Sequence, residues 1–447
     1  LRARQIAIEA KGSPYFVHEL VRYSVSAPGT DTVHDSASLA SVIRARAERL
    51  SPEAQRLLRV VCVAGWRMSV GVAQVAAELG EEERRAFVEL RAGHFAKSTG
   101  TRDSDTIEPY HDRVREMVGA ILSPAEAQAV HLSIAESLEA AADSADSEQT
   151  YALANHWFLA RPPDRLDHVY EVNLRAGRTA AASFAFHQAN TYLSRAEEAA
   201  EQVGIDLDVD THLLIADARM RIGLNHDALG RYDQILAKSR DPLQRAETGL
   251  GISRIRIGWL DSGPAIDAVL MALRELGLAP PRNKVFSWFS AIGTFLRSLP
   301  GLRTALVRGR AQGDDLRRYK LATSLYVQLG TSYYFHLEPE NLLRSALQAM
   351  RFLRQVGPGR EMLEWHLLAG GAAGALRKQK PYDWLAAKAR RIAAQLQDPV
   401  AIARYRFFRG LFTALLGDTL AAEKKLGNAL DEIELLLDTH EFYTGSA

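Results

Sequence analysis

One cysteine, Cys62, stands among 447 residues. A single thiol excludes an internal disulfide framework and any metal site assembled from several cysteines. It fits a reducing cytoplasm, and it reads as a small buried apolar residue rather than a nucleophile. An excess of either charge is missing too: 55 Lys and Arg face 54 Asp and Glu, a formal net charge of +1. That balance excludes an acidic disordered chain and a strongly basic nucleic-acid tail. Long apolar runs are absent. The longest candidate, residues 285–299, is broken by Ser287, Ser290, Thr294, Arg297 and Ser298, short of the ~18–20 uncharged residues of a membrane span. Arg2, Arg4, Glu9 and Lys11 interrupt the first stretch, so no secretory signal is written there. Leu at position 1 points to a piece of a longer protein. At ~100–200 residues per domain, the chain has room for two to four domains.

What is present is helix. Only 16 prolines occur, lying between periodic segments, and beyond residue 120 apolar residues recur at three- and four-residue spacing. Leu214, Ala218, Ile222, Ala228, Tyr232, Ile235 and Leu236 mark one face of two short helices, punctuated by Gly223 and Asn225. Arg221-Ile222-Gly223 returns 35 residues later as Arg256-Ile257-Gly258, with the next helix expected near Asp227 and Asp261. Similar pairs are read at 173–203 and 404–437. A helix pair repeating every ~34 residues is the signature of a tetratricopeptide-type solenoid. Its pairs stack because one alone cannot cover its apolar face. Gly251 and the small residues near it are expected to let helices approach closely. The period fades over 280–315.

The first 120 residues differ. Ser51-Pro52-Glu53 opens a helix as N-cap, first-turn proline and first-turn acid, expected to run to Ala64 before Gly65. Further helices are predicted at 69–79 and 81–91, stopped by Gly80 and Gly93. Residues 94–98 and 106–110 alternate about a polar turn and read as two short strands. Three helices followed by a hairpin is winged-helix topology. Glu81-Glu82-Glu83 at the start of the third helix would face phosphates with carboxylates, which argues against DNA.

Catalytic motifs are missing. Gly370-Gly371-Ala372-Ala373-Gly374 lacks the Lys-Ser/Thr of a phosphate loop, and Gly249-Leu250-Gly251 lacks the third glycine of a dinucleotide turn. Leu430-Asp431-Glu432 sits in helical spacing and reads as a solvated face. Most of the 13 histidines, His187, His226 and His366 among them, read as structural. His111 stands apart: Tyr110-His111-Asp112 follows the predicted wing and opens a helix, where first-turn N–H groups favour an anion. Helix capping by His111 and Asp112 is the plainer reading. Upstream, Gly12-Ser13-Pro14 precedes an amphipathic helix start, and by itself is a turn.

In this order, the two short motifs resemble the lid half of a STAND-class signalling ATPase. There a helical lid with a Gly-x-Pro motif leads to a winged helix ending in a Met-His-Asp-like motif, then to a superhelical repeat sensor. Tyr110 stands in place of the Met. The resemblance implies that Pro14, with Gly12, packs against adenine and that His111 bonds the β-phosphate of ADP. Residues 131–142 resemble the helix leading into the repeats. Residues 276–282, with the basic aromatic stretch after them, resemble bacterial members fused to serine/threonine protein kinases. The phosphate loop, the magnesium-binding strand and the kinase would lie upstream, so ADP or ATP with Mg belongs to the parent and no catalytic or metal residue is expected here.

Residues 282–320 carry nine Lys and Arg against Asp314 and Asp315. Phe286, Trp288, Phe289 and Phe295 are expected to fill the solenoid core there; a basic amphipathic helix on a membrane surface is the lesser alternative. The resulting expectation is a mainly α fold: a winged-helix module with a short β-hairpin, then an α-helical tetratricopeptide-like solenoid. Its parts are the end of a lid at 1–35, the winged helix at 36–122, connecting helices at 123–165 and repeats at 166–447. The expected function is regulation and sensing in a cytoplasmic bacterial signalling ATPase or kinase, with a protein, peptide or small effector on the solenoid coupled to nucleotide state. A plain protein-interaction scaffold is the alternative; a winged-helix transcription regulator is the third. Neither nucleic acid nor membrane is expected as partner.

Overall fold

The computed structural model describes residues 17, 21, 39–80, 84–141, 147–281, 283–298 and 311–435. The chain forms two compact units: one holds the described residues through Thr179 with Thr191–Ile205, the other Ala180–Asn190 with the described residues from Asp206 onward.

In the first unit, α1 (Leu39–Ala47), α2 (Pro52–Ala64), β1 (Met68–Ser69), α3 (Val70–Ala76), α4 (Arg85–Ala92), β2 (Ala96–Ser98) and β3 (Thr106–Pro109) come first. Then follow α5 (Asp112–Ile121), α6 (Pro124–Ala140), α7 (Ser147–Ala160), and parts of α8 (Leu166–Ala182) and α9 (Phe186–Val203). Helix α2 has the predicted bounds because both ends are local devices. Ser51 Oγ accepts from the Ala54 N–H at 3.3 Å, and Gly65 takes φ 71°. Ser51 also donates to Glu89 on α4 from its N–H and its hydroxyl, at 3.0 and 2.6 Å. Helix α3 stops short of the predicted 79, since Glu78 turns left-handed at φ 52°.

The expected acidic opening of the third helix falls on Glu81 to Glu83, outside the described residues. Helix α4 is described from Arg85, after the N-cap Arg84, and its exposed residues are Arg85, Val88, Arg91 and Ala92. Strands β2 and β3 pair antiparallel with Lys97 opposite Glu108. The sheet has a third strand that the sequence did not foretell: β1 pairs with β3, Met68 opposite Ile107, in the order β1-β3-β2. Two residues are too few to show alternation. One apolar core runs from Leu57 on α2 through Phe87, Ile107 and Ile134 to Trp157 on α7. Cys62 lies in it, its thiol pushed up to about 12 by burial, which keeps it protonated and inert.

The second unit holds α10 (Val209–Arg221), α11 (Asn225–Lys238), α12 (Pro242–Gly258), α13 (Ser262–Glu275), α14 (Lys284–Ser298) and α15 (Gly313–Phe335). It continues with α16 (Pro339–Val356), α17 (Arg360–Ala375), α18 (Gln379–Leu396), α19 (Pro399–Leu415) and α20 (Thr419–Leu435). Six helix pairs, α8/α9, α10/α11, α12/α13, α15/α16, α17/α18 and α19/α20, share one turn of three residues. Its middle residue is left-handed: Phe184, Gly223, Leu260, Leu337, Arg377 and Gly417. The next N–H reaches back five residues, as from Leu224 to the Arg219 carbonyl at 2.9 Å and from Lys378 to that of Ala373 at 2.8 Å. This is Schellman closure, which satisfies carbonyls the helix end leaves over.

Successive left-handed residues lie 39, 37, 77, 40 and 40 apart. The structural repeat is therefore 37–40 residues rather than ~34. The sequence match misleads because Gly223 is the turn residue while Gly258 is still inside α12, whose turn residue is Leu260. The double interval contains α14, where the expectation of a filled core fails. Phe286 and Phe289 are 67% and 71% exposed, while Ser287 and Ala291 are buried. Phe295 alone among those aromatics packs, half-buried, against the core of this unit.

Candidate functional groove

In the second unit the first helix of each pair packs on the next, α10 on α12, α12 on α15, α15 on α17 and α17 on α19. Glycine makes the last of these contacts possible: a β-carbon on Gly371 would stand 2.7 Å from the Phe412 ring. The glycine-rich stretch at 370–374 thus sits inside a helix and serves packing. The faces these helices leave over line two adjoining cavities. The larger, about 500 Å³, is polar, with Asp217, Glu247, Arg317, Lys320 and Glu361 on its walls. The narrower is lined by apolar side chains from α15, α17 and α19, including Tyr334, Leu367, Phe407, Phe408 and Phe412. Arg254 and Ser324 line both.

Every acid here has a partner. Tyr232 donates to Asp217 Oδ1 at 2.6 Å; burial, followed by the Asp217 charge, raises the phenol well above its usual value, so it stays a donor. Arg317 holds Glu247 through two bonds, Nε to Oε1 at 3.0 Å and Nη2 to Oε2 at 2.9 Å. Burial pushes the Glu247 carboxyl up and Arg317 opposes that shift. Lys320 approaches Glu361 at 4.0 Å. Arg404 donates to Glu364, a nearly buried carboxylate, at 2.6 Å. Arg254 is the remainder. Among the described residues it has no hydrogen bond or ion pair. Burial, then the charge of Arg221, lowers its guanidinium from the usual value, with the charges of Glu364 and Asp217 opposing. A guanidinium so placed is a receptor for a planar anion, which it can grip through two parallel bonds.

Sequence reading does not single out Arg254 or its neighbours. The available signal was Glu247, Gly251 and Arg254 at i, i+4 and i+7, on one stripe of α12. Of the residues it does single out, Gly12 and Pro14 lie outside the described residues. His111 is the exposed N-cap of α5 in the first unit, its Nδ1 accepting from the Arg113 N–H at 3.2 Å. Capping is therefore present at His111. Asp112 pairs with Arg115 at 3.6 Å. The first unit also holds a cavity of about 330 Å³ beside Trp66, Tyr151 and His156. His156 touches His131 there, Nδ1 to Nδ1 at 2.8 Å, and burial, then that neighbour, lowers it to about 3. Among the described residues no group of three His, Cys, Asp or Glu could hold a metal ion, and no helix is long and apolar enough to cross a membrane.

No protein-family model matches the sequence, and no curated protein does. Among solved structures, the chain is similar to a Rap protein complexed with competence and sporulation factor, at 12% identity and a TM-score of 0.39, over 72% of this chain and 90% of that one. It is also similar to a signal transduction ATPase with numerous domains (STAND) carrying a tetratricopeptide-repeat sensor, from Pyrococcus horikoshii. That match has 13% identity and a TM-score of 0.29, over 98% of this chain and 73% of the other.

Proposed function

We propose that this chain is the sensing part of a STAND-type signalling ATPase and that the groove of the second unit receives a peptide or protein segment. The observation that carries this reading is Arg254, a guanidinium without a close partner among the described residues, set between a polar cavity and an apolar chamber. A partly desolvated cation of this kind is costly until an anion meets it. A segment pairing a carboxylate with a neighbouring aromatic or branched side chain answers both walls at once. Display selection on the 447-residue chain is expected to enrich such segments. Arg254→Met is expected to weaken the selected peptide at least tenfold, about 1.4 kcal/mol, with helix content unchanged. Undiminished affinity in that variant refutes the groove as receptor.

In the same reading, α2 to α4 with their sheet form a winged helix and His111 faces the diphosphate of ADP in the parent. The tautomer supports the latter: with Nδ1 accepting from Arg113, a neutral ring carries its proton on Nε2 and can donate to a phosphate oxygen. Gly12 and Pro14 complete the nucleotide contacts by resemblance. Effector and nucleotide would then be linked by a coupling of ~1–3 kcal/mol. In the parent, His111→Ala is expected to loosen ADP. Peptide binding that leaves ADP affinity untouched would reduce the chain to a scaffold. The kinase output rests on the likeness of residues 276–282 and the stretch that follows.

A further inference from the structure

Helix α18 carries its charge on one side. It packs on α17 and α19 and buries Tyr382, Leu385, Ala389, Ile392 and Ala393. The opposite side holds Lys380, Trp384, Lys388 and Arg391 at i, i+4, i+8 and i+11, a single stripe about 16 Å long at 1.5 Å per residue. Arg390 on the helix, and Arg377 and Lys378 in the turn before it, are exposed too. Residues 377–391 thus hold six Lys and Arg against one acid, Asp383. That acid is already taken, since Gln379 Nε2 donates to its Oδ1 at 3.0 Å. Among the described residues, the side chains of Arg377, Lys378, Lys380, Arg390 and Arg391 have no hydrogen bond or ion pair. No residue of α18 lines either cavity of the groove, so this face is a site apart from Arg254.

The composition of the stripe says what fits. Lys388 and Arg391, like charges three residues apart, repel each other on the helix surface, and an external anion relieves both. In the middle stands an indole: Trp384 is 50% exposed, with Lys388 Nζ 5.9 Å from its ring centre. An apolar centre with a charged rim is the anatomy of a protein interface, and Trp with Arg is the composition of its hot spots. A strand of nucleic acid would call for several aromatic platforms rather than one. A membrane would call for an apolar face wider than one indole. A second copy of the chain would set cations against cations. A helix with carboxylates at three- and four-residue spacing repeats the period of the stripe, complements its charge and can lay an apolar side chain on the indole. We infer that the outward face of α18 docks an acidic amphipathic segment of a partner protein, seated on Trp384 and held by Lys380, Lys388 and Arg391.

The probe is a fluorescein-labelled helical peptide of about five turns, with Glu at three- and four-residue spacing around one Leu, titrated with the full chain and read by anisotropy. The same peptide with Gln for every Glu is the control. The acidic peptide is expected to bind and the Gln peptide not to. Affinity should fall at least tenfold near 1 M salt, where the screening length is about 3 Å. K380E/K388E/R391E is expected to lose at least tenfold and Trp384→Ala at least fivefold, with helix content unchanged. Arg240→Glu, which reverses an exposed cation elsewhere in the same unit, is expected to bind like the parent. No binding of the acidic peptide, equal binding of the two peptides, or full affinity in K380E/K388E/R391E would each overturn the inference. The last of these would leave the groove around Arg254 as the seat of the peptide. Tighter binding of oligouridine or of phosphatidylglycerol vesicles would give the face to nucleic acid or to a membrane. A dimer in sedimentation velocity that the same reversal dissociates would give it to a second copy.

Discussion

The ring of Phe412 stands where Gly371 leaves room for it, 2.7 Å from the place a β-carbon would take, whereas a β-carbon on the adjacent Gly370 would meet the same ring at 3.8 Å. Two neighbouring glycines in one helix thus predict opposite outcomes. Gly370→Ala is expected to stabilise by up to about 1 kcal/mol through helix propensity alone. Gly371→Ala should lose that gain to overpacking of about 1–3 kcal/mol. Urea unfolding of the two variants decides the matter, and equal midpoints would mean that Phe412 can move aside.

Leu337 holds a left-handed conformation at φ 59° with its side chain 87% exposed. A residue with a β-carbon loses roughly 1–2 kcal/mol in that region, while glycine adds less than about 1 kcal/mol of freedom to the unfolded chain. Leu337→Gly is therefore expected to raise stability by about 0.5–1 kcal/mol, read as a higher urea midpoint. Gly417→Ala, at the equivalent turn, should lower it.

Removing Arg404 strands a nearly buried carboxylate. Arg404→Met is expected to cost about 3 kcal/mol, the scale for breaking such a pair from one side. Adding Glu364→Leu should recover most of that loss, since replacing both charges by apolar groups removes the orphan. A double variant no better than the single one would show that Glu364 finds water instead.

His156 makes folding sensitive to acid. The ring titrates near 6.5 when unfolded and at about 3 in the fold, so between those values only the unfolded chain takes the proton. Stability that is full above pH 6.5 is lost as pH falls toward 3, with a slope of up to about 1.4 kcal/mol per pH unit. His366, buried and lowered to about 4, adds a second proton over the upper part of that window. Denaturation at pH 5 and 6 is expected to give a steeper slope for the parent than for His156→Asn, by about one proton. Identical slopes would mean that the folded ring is already charged.

The legible parts of the fold are those written in adjacent residues. Ser51, Pro52 and Gly65 bound α2 as predicted, since each acts within one turn of its own position. The hairpin pair was visible from alternation and turn residues, whereas Met68–Ser69 was not, because two residues carry no pattern. Only Gly223 and Gly417 announce their turns; Phe184, Leu260, Leu337 and Arg377 do the same job without a glycine to mark it. The exposed stripe of α14 has the apolar spacing of a core helix, and spacing alone does not say which side faces water. Arg254 gains its meaning from Asp217, Arg317, Glu364 and Arg404, on four other helices. Relations between helices 37–40 residues apart, or further, leave no trace in neighbouring letters.

The shared three-residue turn has a consequence for how such a molecule can change. Because each hairpin closes on the same internal turn, a whole pair of helices can be copied or deleted as one self-contained unit. Each added rung would contribute one more leading helix to the corridor around Arg254. The length of the segment it accommodates can then grow in steps of a single hairpin, independently of the anchor that holds its charge.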